Sequence, residues 1–227
     1  MNERQKKVVF IALFAVIGFA FQQVPISGLA GAKVSFTLFD LFGPVAGAFL
    51  GGPAGILAVF LVTFTNFGLN GFPLEAGPIV RLFPTLFAVW YFSLSPREAR
   101  DTKILLVPLV AMLVFWANPM GRQVWYYALF WTIPVLAFFK RDTLLLRSLG
   151  STFTAHAVGG AAWVWVFNMP ASVWQNLVPI VAMERLILTI GISLSFVVMT
   201  NALALLTEKK LIPTGLNIEN SYRFLHS

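Results

Sequence analysis

Residues 36–70 constrain this chain more than any other stretch. They form a nearly unbroken apolar run in which Asp40 is the one charged residue, with Gly51, Gly52 and Pro53 near its middle. A membrane-spanning helix takes about 20 residues, with a range of about 17–25, so the run is too long for one span. Proline suits the first turn of a helix, where its missing N–H leaves nothing unpaired, and glycines before it permit a tight reversal. The run therefore predicts a hairpin of two short helices, 36–51 and 53–70.

Within that hairpin Gly43, Gly47, Gly51 and Gly55 stand at every fourth position, among Ala46, Ala48, Gly52, Ala54 and Ala58. Each such glycine costs a soluble helix roughly 1 kcal/mol relative to alanine. In lipid the balance differs. Acyl chains give helices no hydrophobic reason to associate, and close backbone approach through small residues becomes the main route to packing. Ser151, Ala155 and Gly159 form a second stripe of this kind, and Gly191 with Ser195 a weaker pair.

Composition identifies the solvent. Of 227 residues, 58% are hydrophobic and 11% charged, with a mean hydropathy of +0.81. Soluble domains carry about 25% charged residues, so the charges here are too few to cover a surface facing water. Eight apolar stretches can be delimited: 8–24, 36–51, 53–70, 79–94, 104–117, 124–139, 148–168 and 183–207. The pair 104–117 and 124–139 reads as a shallow hairpin turning at 118–122, spanning or re-entrant. The expected fold is all-α: a polytopic integral membrane helical bundle of up to eight hydrophobic segments, six if a hairpin is re-entrant. Residues 1–207 are expected to form one domain, and 208–227 a short cytoplasmic tail.

Charge orients the bundle. With eight spans, Arg4, Lys6, Lys7, Arg97, Arg100, Lys103, Lys140, Arg141, Arg147, Lys209, Lys210 and Arg223 share one side, while Lys33, Arg81, Arg122 and Arg185 fall on the other. The positive-inside rule makes the richer side cytoplasmic, with both termini inside the cell membrane. Lys6, Lys7 and the apolar run after them, with Ala-Gly-Ala at 30–32, also match a signal peptide. The segment 22–32 is long for the stretch before a cleavage site and reads better as a loop, so the first helix is expected to be retained.

Several classes of chemistry are excluded. There is no cysteine, and the two histidines, His156 and His226, cannot build a histidine-rich metal centre. No P-loop, serine-hydrolase elbow or zincin motif occurs. The net charge of +7 is spread along the chain rather than run together, so no nucleic-acid partner is expected.

Polar groups recur at one end of the helices. Ionisable groups inside a membrane are expensive and tend to mark sites or pairs. Asp40 lies one turn into the second helix, Glu75 and Arg81 flank the fourth, and Glu184 and Arg185 open the last. Asn66, Asn70, Trp163, Asn168 and Trp174 return to the same face. Together they read as the rim of an outward pocket, an apolar wall with a few placed polar groups. His156 falls near mid-membrane, where helix packing is the leading role and ligand contact the second.

The passage "VSFTLFDLFGPVAGAFLGGPAGILAVFLVTFTNFGLNG", residues 34–71, resembles the substrate-binding S components of energy-coupling factor transporters. The resemblance implies capture of a vitamin-like micronutrient from outside, with no cofactor and no enzymatic activity. It also implies association with a transmembrane coupling protein and two ATPase subunits. Many members carry an alanine-x-x-x-alanine pair on the first helix for that coupling protein; here Ala12, Ala15 and Gly18 run at three-residue spacing. Ala12, Ala15 and the glycine stripe are then the expected packing and partner surface. Two other readings use the same residues: a polytopic enzyme acting on lipid with His156 or Glu184 as acid–base group, and a scaffold without ligand.

Overall fold

The computed structural model describes residues 3–30, 34–94, 102–209, 216 and 218–224. Lys33, Arg97, Arg100 and Lys210 of the charge argument lie outside these residues. The described chain is helical apart from one short hairpin. α1 (Glu3–Gln22) is followed by β1 (Pro25–Gly28) and β2 (Ser35–Thr37), which pair antiparallel. Next come α2 (Leu38–Phe42), α3 (Ala46–Leu50), α4 (Gly52–Leu69), α5 (Ala76–Arg81) and α6 (Pro84–Ser93). After these follow α7 (Leu106–Ala117), α8 (Pro119–Gln123), α9 (Thr132–Phe138), α10 (Leu144–Val166) and α11 (Ala171–Glu208).

Prolines and glycines set the interruptions. Pro44 lies in a single tighter 3-10 turn, Gly43–Val45, between α2 and α3, so 38–50 acts as one short rod. Gly51 takes φ +79° and ψ 166°, a conformation that a side chain would oppose, and reverses the chain into α4, where Pro53 occupies the first turn. The stretch read as 79–94 is two helices instead, α5 and α6, because Pro84 restarts the helix after Leu82 and Phe83. Residues 125–131 coil as 3-10 before α9 begins.

Neighbouring helices run antiparallel. Along α10 and α6, Arg147 meets Phe92, Ser151 meets Ala88 and Gly159 meets Pro84. Along α10 and α11, Arg185 reaches Thr152 and Ser193 reaches Ser148. Two helices, Gly52–Leu69 and Ala171–Glu208, are long and apolar enough to cross a membrane, and shorter apolar helices accompany them at 8–22, 38–50, 102–117 and 125–138.

The glycine stripe is consumed inside the fold. A Cβ on Gly47 would lie 2.3 Å from the carbonyl oxygen of Val89, and one on Gly55 would lie 2.9 Å from the backbone of Ala46 and Gly47. Gly43 faces Thr85 of α6. Gly43, Gly47 and Gly55 are buried, so they pack helices as the spacing predicts but form no outward surface on which a partner could slide, unlike what the resemblance implied. α3 is clamped between α4 and α6 instead. On α1, Gly18 abuts Phe39, Ala15 packs on the core and Ala12 is exposed.

The last helix departs most from expectation. α11 begins at Ala171, not near 183, and carries Pro179 inside it. Its 38 residues make it about 57 Å long, well beyond the ~30 Å hydrocarbon core of a bilayer. At the far end the described tail residues fold back. Leu216, Ile218 and Tyr222 pack on the core, and Glu219 pairs with Arg147 at 2.6 Å. Arg147 is only 2% exposed, its Nε and Nη2 donating to the carbonyl of Phe92, so it is a buried structural cation rather than a loop charge.

Candidate ligand-binding cavity

One face each of α10 and α11 prepares the cavity. Thr152, Ala155, His156, Gly159, Gly160 and Trp163 recur at three- and four-residue intervals and therefore point one way from α10. Trp174, Leu177, Val181, Arg185, Leu188 and Ile192 do the same on α11. The small residues at 155, 159 and 160 hold the wall back, and a space of about 350 Å³ remains. At ~30 Å³ per water, that is on the order of a dozen non-hydrogen atoms.

The β1–β2 hairpin closes one end. Three side chains from three helices hold it. Arg81 Nη2 on α5 donates to the carbonyl of Ser35 (3.3 Å), Trp163 Nε1 on α10 to that of Ala30 (2.9 Å), and Glu184 on α11 accepts from Ser27 Oγ (2.5 Å). The hairpin in turn contributes Ser27, Gly28, Leu29, Ala30 and Phe36 to the lining.

The charges around the cavity are unequally satisfied. Asp40 accepts Arg81 Nη2 on both oxygens, at 3.1 and 2.9 Å, and also the backbone N–H and hydroxyl of Thr37. That second pair is a helix-start capping arrangement, and it fixes Asp40 at the third position of α2. Glu184 is held by Ser27. Arg185, 2% exposed, donates from Nη1 to Thr152 Oγ1 at 3.2 Å, and its Nη2 lies 3.9 Å from Glu184, too far for a hydrogen bond. Among the described residues its Nε and Nη2 have no hydrogen-bond partner, nor has the buried Trp174 Nε1. The guanidiniums of Arg81 and Arg185 stand 5.1 and 4.5 Å from the ring of Phe36, within cation–π range.

His156 takes part in a relay. Trp131 Nε1 donates to its Nδ1 at 3.0 Å, and its Nε2 lies 3.1 Å from the hydroxyl of Tyr127. An indole N–H can only donate, so Nδ1 is the acceptor and the ring proton sits on Nε2. Tyr127 then accepts that proton's hydrogen bond and keeps its own O–H for the cavity it lines. Both histidine nitrogens are thereby engaged within the protein. Among the described residues no three His, Asp or Glu side chains converge as a metal site.

Seven of the eleven residues expected to contact a ligand line this cavity: Asp40, Arg81, His156, Trp163, Trp174, Glu184 and Arg185. Four do not. Asn66 accepts from Gln23 and Asn70 donates to the carbonyl of Asn66, so both finish α4 instead. Glu75 is exposed at the start of α5, and Asn168 is exposed between α10 and α11. Arg185 sits fourteen residues into its helix rather than at its opening, because α11 continues through Pro179. Spacing alone missed Phe36, Tyr127, Trp131 and Thr152. The Thr37-x-x-Asp40 capping pattern and the aromatic cluster Trp125–Trp131 were the available signals.

No protein-family model matches the chain, and no solved structure does. The chain is similar to an uncharacterized protein of Methanocaldococcus jannaschii, 26% identical over an alignment covering 82% of this chain and 69% of that protein.

Proposed function

We propose that this protein is the membrane-embedded capture subunit of a solute-uptake transporter, similar to the S components of energy-coupling factor systems. The observation that carries the reading is the 350 Å³ cavity, roofed by a hairpin that three helices tether. Its size and its lining, apolar with few placed polar groups, fit a small metabolite. In this reading the apolar helices form a polytopic bundle in the cell membrane, with both termini cytoplasmic and the hairpin end outward.

The residues divide the work. Ala155, Gly159 and Gly160 provide room, Trp163 and Trp174 supply flat apolar surface, and Arg185 and Tyr127 present donors. Binding needs no bond to be made or broken, and the occupied nitrogens of His156 suit a positioning role for Tyr127 rather than proton transfer to a substrate. Having no phosphate-cradling loop, the chain would draw energy for release from a membrane coupling protein and ATPase partners. The exposed apolar face of α1, with Val8, Leu13, Val16 and Ile17 around Ala12, is available to lipid or such a partner.

The test is recovery of a bound solute. Protein purified in detergent from its own cells is denatured and the extract analysed by mass spectrometry, beside Gly159→Trp. A Cβ on Gly159 meets only Pro84, at 3.6 Å, so the larger side chain enters the cavity rather than a helix contact. A small molecule at near one-to-one ratio, absent from the folded variant, is the expected result. Equal recovery from both proteins, or none from either, overturns the reading.

A further inference from the structure

The polar groups around the cavity also carry information about what it holds, if the capture reading is right. Both acids are spoken for. Asp40 is saturated by Arg81 and Thr37, while Glu184 accepts from Ser27 on Oε1 and faces Arg185 Nη2 at 3.9 Å with Oε2, an ion pair without a hydrogen bond. Donors, by contrast, are left over, and they are buried. The side chain of Arg185 is 3% exposed, and among the described residues Nη1 is its one hydrogen-bonded nitrogen. The two nitrogens without a hydrogen bond, Nε and Nη2, form one edge of the guanidinium, with N–H bonds nearly parallel. That fork matches the two oxygens of a carboxylate. A buried donor left unsatisfied costs free energy, and more so when charged, so this edge calls for an acceptor.

We propose that the cavity takes a small flat monocarboxylate, its carboxylate on the Nε–Nη2 edge of Arg185 and its apolar body along Trp163, Trp174 and Val181. Among anions, charge favours a monoanion over a dianion. Arg81, Arg185, Asp40 and Glu184 sum to zero, so a carboxylate brings the site to one net negative charge and a phosphate dianion to two, beside the Glu184 carboxylate 3.9 Å from Nη2. Phe36 also crowds the guanidinium, its ring centroid 4.5 Å from the Arg185 guanidinium carbon. A planar group fits there better than a tetrahedral one. Volume limits the body to one or two rings.

Matched acid and amide pairs test this without knowing the natural solute. Benzoate and benzamide, 2-naphthoate and 2-naphthamide, and indole-3-acetate and indole-3-acetamide are titrated into the full chain in detergent. Thermal stabilisation and tryptophan fluorescence are followed. At least one acid should bind, at least about tenfold tighter than its amide, the factor expected for hydrogen bonds to a charged group. Arg185→Gln should abolish that preference and Arg185→Lys should weaken it, losing the fork but keeping the charge. The wild-type comparison stands even if a variant misfolds. Amides binding as well as acids overturn the proposal while leaving the capture reading intact, as does a neutral or cationic solute recovered with the purified protein. An anionic recovered solute lost from a folded Arg185→Gln supports it. If no acid binds and no solute is recovered, both readings fall.

Discussion

Replacing Gly47 by alanine tests whether the stripe of small residues works by backbone contact. The added Cβ would lie 2.3 Å from the Val89 carbonyl oxygen and 3.0 Å from both the backbone nitrogen and the Cβ of Ser93. The first distance is more than 1 Å short of ordinary contact. A carbonyl within a helix cannot rotate away, so α3 or α6 must shift bodily. Overpacking of this kind costs about 1–3 kcal/mol. Alanine recovers about 1 kcal/mol of helix propensity, and the rigidity of the obstructing group places the clash toward its upper range. The net expectation is a loss of about 1–2 kcal/mol. Gly159→Ala is the control, since its Cβ meets Pro84 at an ordinary 3.6 Å and only the propensity gain remains. Reversible unfolding in mixed micelles, followed by circular dichroism, compares the two. Gly47→Ala at or above wild-type stability would refute the argument that backbone contact clamps α3.

Trp163→Phe keeps the aromatic wall but removes the N–H that holds Ala30. At about 1 kcal/mol for one hydrogen bond, amide exchange at 25–30 should quicken about fivefold, and unchanged protection would show that the tether is idle. Glu219→Gln weakens the contact of the tail with Arg147, whose bonds to the Phe92 carbonyl remain. The tail should then be released by protease several-fold faster while the thermal midpoint changes little; equal rates would mean that the packing of Leu216, Ile218 and Tyr222 and the hydrogen bonds to Asn201 hold it without the ion pair. Tags on the two termini should be reached only after cell lysis, and a terminus accessible on intact cells would contradict the proposed orientation.

Much of the local fold was legible because it rests on residues whose backbone limits are intrinsic. Gly51 and Pro53 announce a reversal in any context, and the structure reverses there. The last helix was less legible: the apolar stretch reads as 183–207, but α11 starts at Ala171 and contains Pro179. The helix passes through it, since α11 gains more from the packing of Trp174 and Val181 on the core than it loses at one backbone position. The glycine stripe shows a further limit. Four-residue spacing says that something comes close, but not what. Gly55 turned out to face its own hairpin and Gly47 another helix of the same chain, where the sequence was equally consistent with a partner.

The site was legible in proportion to how far each residue's role follows from depth alone. Asp40, Arg81, Glu184 and Arg185 could be grouped because charge in an apolar helix is costly wherever it lies. Their pairing could not. Nothing in the sequence says that Asp40 goes to Arg81, forty-one residues on, or that Glu184 hydrogen-bonds Ser27 while staying 3.9 Å from its neighbour Arg185. Those two choices decide the character of the cavity. Had Glu184 closed to hydrogen-bonding distance, the guanidinium edge would be filled. Because the hairpin takes Glu184 instead, the cation is left open beneath it. The element that roofs the cavity thus also sets its preference for an acceptor, and Ser27→Ala, by freeing Glu184 to swing onto Arg185, should weaken acid binding without touching any group that contacts the acid.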